Sequence, residues 1–185
     1  MLARAAGAGA LVIAADRHVH RLRAMRAQFN RVGSSNVRLI ALDGTATLPF
    51  SRSFDRILVD APCSGTGTLA RNPEIRWRLA PDDLSQFHER QAALLRNALN
   101  ALAPGGRLVY ATCSLEAEEN EAVVDEVLAE QTGVRLADAH PALGRHLLNA
   151  SEAGRFFDAR GFFRTLPFEH GTDGFTAVVL QRTGD

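Results

Sequence analysis

Lysine is absent from this chain of 185 residues: all 21 basic side chains are arginine, balanced by 21 acidic ones. Mechanisms that need a lysine, as Schiff base or as base, are therefore excluded. A formal net charge of zero gives no global basic field for nucleic acid. Arginine nonetheless stacks on bases and grips phosphates bidentately. Cysteine is scarce as well, at two residues. The opening Met1-Leu2-Ala3-Arg4 lacks the apolar stretch of a secretory signal, so a disulfide is not expected. A metal centre needs clustered ligands, and histidines 18, 20, 88, 140, 146 and 170 form no cluster with the cysteines. His18 and His20, two apart on an expected helix, point to different faces and read as surface residues. No apolar run approaches the roughly 18 residues of a membrane span. No metal and no membrane are expected, and the location read from these absences is cytoplasmic.

A hydrophobic content of 46% and a charged content of 23% are ordinary for a globular domain with a real core. Strand-like and helix-like segments alternate, the pattern of a parallel α/β sheet. Leu11 to Ala15 is an apolar strand ending at Asp16. Val19, Leu22, Met25, Phe29 and Val32 follow at helical spacing, with Gly33 as C-cap. A strand from Val37 to Leu42 ends at Asp43, and another ends at Asp60. A polar loop through Asn72-Pro73-Glu74 and Trp77 precedes a helix opened by Pro81, with Leu84, Phe87, Leu94, Leu95, Leu99 and Leu102 as its apolar positions. Pro104-Gly105-Gly106 closes that helix, and a strand runs to Thr112. A further helix is expected from near Glu116, its acidic run suiting the positive end of a helix dipole. Residues 138–160 read as irregular. Phe162 to Leu166 and Phe175 to Gln181 read as a terminal hairpin turning at Gly171-Thr172-Asp173-Gly174. The expectation is one α/β domain over 1–185.

Both cysteines fall just past a strand: Cys63 after Asp60-Ala61-Pro62, and Cys113 after Tyr110-Ala111-Thr112. In open α/β sheets ligands bind outside the carboxyl ends of the strands. Two thiols there, beside an aspartate, point to covalent chemistry, against the bland alternative of inert buried cysteine. Three successive strands end near an aspartate, Asp16, Asp43 and Asp60. An acidic residue at such a strand end commonly takes ribose hydroxyls, although aspartate is also favoured wherever a chain turns. Together they point to a nucleoside-bearing cofactor.

The run Asp60-Ala61-Pro62-Cys63-Ser64-Gly65-Thr66-Gly67, with Arg71-Asn72-Pro73 and Trp77 behind it, resembles motif IV of the Nol/Nop/Sun (RsmB-type) RNA cytosine-5 methyltransferases. Tyr110-Ala111-Thr112-Cys113-Ser114 followed by Glu118-Glu119-Asn120-Glu121 resembles motif VI, and Asp173-Gly174-Phe175 resembles the C-terminal hairpin. The resemblance implies a Rossmann-like class I methyltransferase sheet and S-adenosyl-L-methionine as methyl donor. It implies an RNA substrate, ribosomal RNA ahead of transfer RNA. Cys113 is then the nucleophile that adds to carbon 6 of cytosine and makes carbon 5 reactive. Asp60 bonds the base at N3 and also belongs with Asp16 and Asp43 among the cofactor contacts. Cys63 assists release of the product. The target base is single-stranded or flipped from its stack, and Arg71 to Arg78 with Trp77 could line its path. A nucleophilic cysteine needs a lowered pKa. A helix starting just after Cys113 would help, and the acidic cluster from Glu116 would oppose it.

The chain departs from the family in one respect. The glycine-rich cofactor loop carrying a lysine is missing, and Gly7-Ala8-Gly9 does not replace it, since it precedes a strand. A sheet lacking its first strand would leave a gap between two neighbours and expose two edges. The expectation is an N-terminally truncated catalytic domain that binds the cofactor weakly or not at all. The alternative is a catalytically silent RNA-binding or assembly module of the same fold. A non-cytosine methyltransferase ranks last, because Asp60-Ala61-Pro62-Cys63 is a poor match to the Asp/Asn-Pro-Pro-aromatic motif.

Overall fold

Short runs rich in apolar and β-branched residues form seven strands in the computed structural model, which describes residues 6–7, 9–51, 53–139 and 154–184. The chain divides into two compact units, Met1–Leu48 and Pro49–Asp185.

In the first unit β1 (Val12–Asp16) pairs in parallel with β2 (Val37–Ala41), in a register running from Val12 opposite Val37 to Asp16 opposite Ala41. Helix α1 (Val19–Arg31) connects them. His18 caps it with extended backbone and so stands just outside the helix. Gly33, at φ +68°, ends it in the left-handed conformation, and the Ser34 N–H returns to the Phe29 carbonyl at 3.0 Å, as expected of a glycine C-cap. Leu22 is the one buried residue among the described residues of this unit.

The second unit is built on β4 (Leu102–Thr112). On one side β4 meets β3 (Phe54–Asp60) in parallel, and on the other β7 (Phe175–Arg182) antiparallel. Strand β5 (Val134–Ala137) lies beyond β7, and β6 (Phe163–Thr165) also pairs with β7. The alternation of β7 is visible in its burial: Thr176, Val178 and Leu180 are buried, as period two requires. Helix α3 (Pro81–Asn100) follows the short α2 (Ile75–Arg78). Proline fits its first position, and Asp83 accepts the Ala80 N–H at 2.9 Å. Both satisfy or remove amides that the first helical turn leaves unpaired. Leu95 and Leu99 of α3 pack with Val123, Val124 and Val127 of α4 (Glu121–Glu130) and with Leu108, Tyr110 and Leu180 of the sheet.

Three sequence readings need correction. Helix α3 stops at Asn100, and Pro104-Gly105-Gly106 lies inside β4. There Phe54 pairs with Leu102 while Arg56 pairs with Arg107, so the proline and glycines form a bulge that the partner strand does not match. Gly105 takes φ +70° in it. The acidic run begins as a 3-10 turn at Ala117–Glu119, and α4 starts at Glu121. The terminal pairing of β6 with β7 is present, but its connection holds one helical turn, α5 (Pro167–His170), ahead of Gly171 at φ +64°. Strand β5, four residues long, is absent from the sequence reading. Of the region read as irregular, residues 140–153 lie outside the described residues. Among the described residues no helix is long and apolar enough to cross a membrane.

Candidate active site

Asp60 is the last residue of β3 and stands opposite Ala111 of β4. The Ala61 N–H donates to the Ala111 carbonyl at 2.9 Å, so the two strands leave the sheet side by side. Each then delivers a Cys-Ser pair, and parallel pairing brings the two pairs together. The Sγ atoms of Cys63 and Cys113 are 3.2 Å apart, and both cysteines are free and half-buried.

The loops are locked by backbone contact. Gly67 donates its N–H to the Cys113 carbonyl at 2.9 Å, and its own carbonyl accepts from Gly174 N–H at 2.7 Å. A Cβ on Gly67 would lie 2.4 Å from the Gly174 oxygen and 2.8 Å from that of Cys113, so no side chain fits. The hairpin residue Gly174 thus packs directly on the Cys63 loop.

Beneath the sulfurs lies a polar cluster. Glu119, fully buried in the 3-10 turn, accepts from the Ser64 N–H at 2.8 Å, the Gln91 amide at 2.9 Å and the Ser114 hydroxyl at 2.5 Å. The Ser64 hydroxyl also donates to it. Asn120, equally buried, accepts from Thr112 Oγ1 at 2.7 Å and donates to the Ser114 and Glu116 carbonyls at 3.1 and 2.8 Å. The Tyr110 hydroxyl donates to the Glu119 carbonyl at 2.7 Å. Burial and the neighbouring Glu119 push its phenol upward, which keeps it a donor.

The two thiols are unequal. The hydrogen bond from Cys63 brings Cys113 down to about 7, against its burial and the charges of Asp60 and Glu119. The same bond, with burial, pushes Cys63 far upward. Cys113 is thus the thiol that loses its proton first, and Cys63 is then the donor across the 3.2 Å contact. The lowering comes from the second cysteine. The helix dipole invoked from sequence has no such place, because α4 begins only at Glu121.

A cavity of 230 Å³ opens on the Cys63 side, lined also by Ser64, Arg78, Asp83, Phe87 and Arg90. Trp77, just before it in sequence, is 84% exposed. It is no core residue. Asp60 is exposed.

In the first unit, Asp16 Oδ1 accepts the His18 N–H at 2.6 Å, and Oδ2 lies 3.6 Å from Arg21. Asp43, two residues past β2, accepts from the backbone and hydroxyl of Thr45 at 3.0 and 2.7 Å. Both stand at the carboxyl end of the β1–β2 pair. Among the described residues no group of three or more His, Cys, Asp and Glu could hold a metal ion.

The sequence reading missed Glu119, Gln91, Ser64 and Ser114 as members of this cluster. One signal was available. Gln91 sits among the apolar positions of α3, between Phe87 and Leu95, where a polar side chain needs a buried partner.

Known proteins share this arrangement of strands and loops. The NSun6 structure from Pyrococcus horikoshii with SFG superposes with a TM-score of 0.76 at 28% identity, covering 95% of this chain and 42% of that one. The fold is therefore the Rossmann-like methyltransferase fold. Ribosomal RNA small subunit methyltransferase F of Serratia proteamaculans is 34% identical over 174 residues, or 92% of this chain and 35% of that protein. The 28S rRNA (cytosine-C(5))-methyltransferase of Mus musculus is 34% identical over 177 residues, covering 93% and 22%. The chain thus spans about a third or less of the length of these relatives. The family model described as 16S rRNA methyltransferase RsmB/F matches residues 1–181, through both cysteine loops and the hairpin glycine packed on them, and the chain belongs to that family.

Proposed function

We propose that this chain is the catalytic domain, spanning 1–185, of a cytoplasmic ribosomal RNA cytosine-C5 methyltransferase that uses S-adenosyl-L-methionine. The observation that carries the reading is the sulfur pair at 3.2 Å, in which Cys113 gives up its proton more easily than an ordinary thiol. Cytosine carbon 5 is a poor nucleophile. Addition of the Cys113 thiolate to carbon 6 places electron density on carbon 5, which can then attack a methyl electrophile. Asp60, at the strand end beside Cys113, bonds the base at N3 and steadies the charge that develops in the ring. A base then takes the carbon-5 proton, the pair left behind restores the carbon 5–carbon 6 double bond, and the Cys113–carbon 6 bond breaks with its pair returning to sulfur; Cys63 is placed to assist that release.

When bound, S-adenosyl-L-methionine supplies the methyl electrophile. Carboxylates suit the hydroxyl and amino groups of its nucleoside part, and Asp16, Asp43 and Asp60 are the residues to which we assign those contacts, each from its own strand end. Asp43 already forms an Asx-type turn with Thr45, and Asp16 steadies the start of α1. For the RNA, the cavity beside Cys63 offers Arg78 and Arg90 to phosphates and Phe87 to a base, with exposed Trp77 as a stacking surface.

The deciding experiment is incubation with RNA carrying 5-fluorocytosine and S-adenosyl-L-methionine, read on a denaturing gel. The expected outcome is a covalent RNA adduct mapped to Cys113 by peptide mass. RNA binding that is indifferent to Cys113→Ala, with no adduct, would leave the silent binding module in its place.

A further inference from the structure

The cluster under the two sulfurs contains a side chain that the reaction itself does not use. Glu119 is 0% exposed, and four donors converge on its carboxylate. Two of its partners are the serines that directly follow the two cysteines. A third, Gln91, donates at the same time to the Pro62 carbonyl at 2.9 Å, one residue before Cys63. No cation pairs with Glu119 among the described residues. A buried carboxylate satisfied only by hydrogen bonds fixes every group that bonds to it, because losing one donor leaves charge uncompensated.

We propose that Glu119 is a positioning residue: by bonding Ser64 and Ser114 at once, it clamps the two cysteine loops and holds the Cys63 thiol against the Cys113 sulfur. The proposal rests on Cys113 being the nucleophile and adds the element that keeps it in its reactive state.

Charge and geometry predict opposite results, which makes the proposal testable. The ionisable groups bearing on Cys113 are Cys63 from its loop, Asp60 from the end of β3 and Glu119 itself. As a charge, Glu119 opposes the thiolate, so its removal would lower the Cys113 midpoint. As a clamp, its removal frees the Cys63 loop and raises it.

The experiment is alkylation by iodoacetamide across pH, with labelling of Cys113 read by peptide mass spectrometry. It compares wild type, Glu119→Ala, Glu119→Gln, Cys63→Ala and the Glu119→Ala/Cys63→Ala pair. The midpoint is expected to move from about 7 toward the ordinary 9.0 in Glu119→Ala and in Cys63→Ala. The double variant is expected to go no further than Cys63→Ala, since both changes remove one donor. Glu119→Gln keeps an oxygen for Ser64 and Gln91 and loses the charge, so its midpoint is expected at or below that of wild type. An unmoved or lowered midpoint in a folded Glu119→Ala overturns the clamp, as does additivity in the double variant or a Glu119→Gln midpoint as high as that of Glu119→Ala. If Glu119→Ala does not fold, Ser64→Ala and Ser114→Ala take its place. Smaller upward shifts are expected in both, and unmoved midpoints in both overturn the proposal. Trapping of 5-fluorocytosine RNA on Cys113 reports on the nucleophile separately, so adduct formation with an unmoved midpoint removes the clamp alone.

Discussion

The same dipeptide, Cys-Ser, follows two neighbouring strands of one sheet, and the fold gives the two copies opposite chemistry. Cys63 follows Ala61-Pro62, and its bond to Cys113, with burial, pushes its thiol upward. Cys113 follows Thr112 directly and is brought down to about 7 by the bond from Cys63. Both serines serve one carboxylate. The difference teaches that local sequence does not decide which thiol is the more acidic. That depends on the contact between the two sulfurs, which the loops around Gly67, Gly174 and Glu119 bring together.

The largest effect that tests this contrast is Cys113→Ala. It is expected to abolish the 5-fluorocytosine adduct completely while Cys63→Ala still forms it. An adduct mapped to Cys63 in the Cys113→Ala protein would reverse the two roles. Next comes Gly67→Ala, whose new methyl meets the Gly174 carbonyl at 2.4 Å. Overpacking of this kind costs about 1–3 kcal/mol, to be read as a lower denaturant midpoint, and it pushes the two loops apart. An unchanged midpoint would show that the loops are looser than their backbone hydrogen bonds indicate.

Cys63→Ala sharpens the comparison by pH. Below its midpoint Cys113 keeps its proton and reacts slowly, so raising the midpoint above neutrality must slow labelling at pH 7. The expected loss in rate is roughly tenfold, softened because a more basic thiolate is also more nucleophilic. The smallest effect is expected from Arg96→Ala in α3, which breaks ion pairs to Glu126 and Glu130 at 3.2 and 2.6 Å. With a third of the side chain exposed, the pairs are screened by solvent, so the denaturant midpoint is expected to move little and the Cys113 midpoint not at all. A shifted midpoint there would mean that reactivity follows global stability instead of the local clamp.

How far the molecule was legible from sequence depended on the range of the interactions. The strands ending at Asp16 and Asp60 and the apolar faces of α3 and α4 were readable, because periodicity is a local property. So was the placing of Cys63 and Cys113 just past the end of a strand each; that the two strands are neighbours came from their pairing. Pro104-Gly105-Gly106 misled because these residues punctuate helices and bulges alike, and only pairing with β3 selected the bulge. Strand β5 offered four residues and drew its place from pairing with β7. Glu119 looked like one more acid at a helix start. Little that is local distinguishes it from Glu118, since two of its partners, Gln91 and Ser64, lie 28 and 55 residues away.

The sequence by itself determined the alternating α/β order, the two thiols and three aspartates near strand ends, and an all-arginine set of basic residues, all of which follow from residue type and short-range spacing. Tertiary structure alone decided that the sulfurs meet at 3.2 Å, that their contact shifts the two thiols in opposite directions, and that a buried carboxylate binds both loops. Those are contacts across some fifty residues of chain, and a burial cost that falls on Glu119 only when the loops close over it is visible in no local window of sequence.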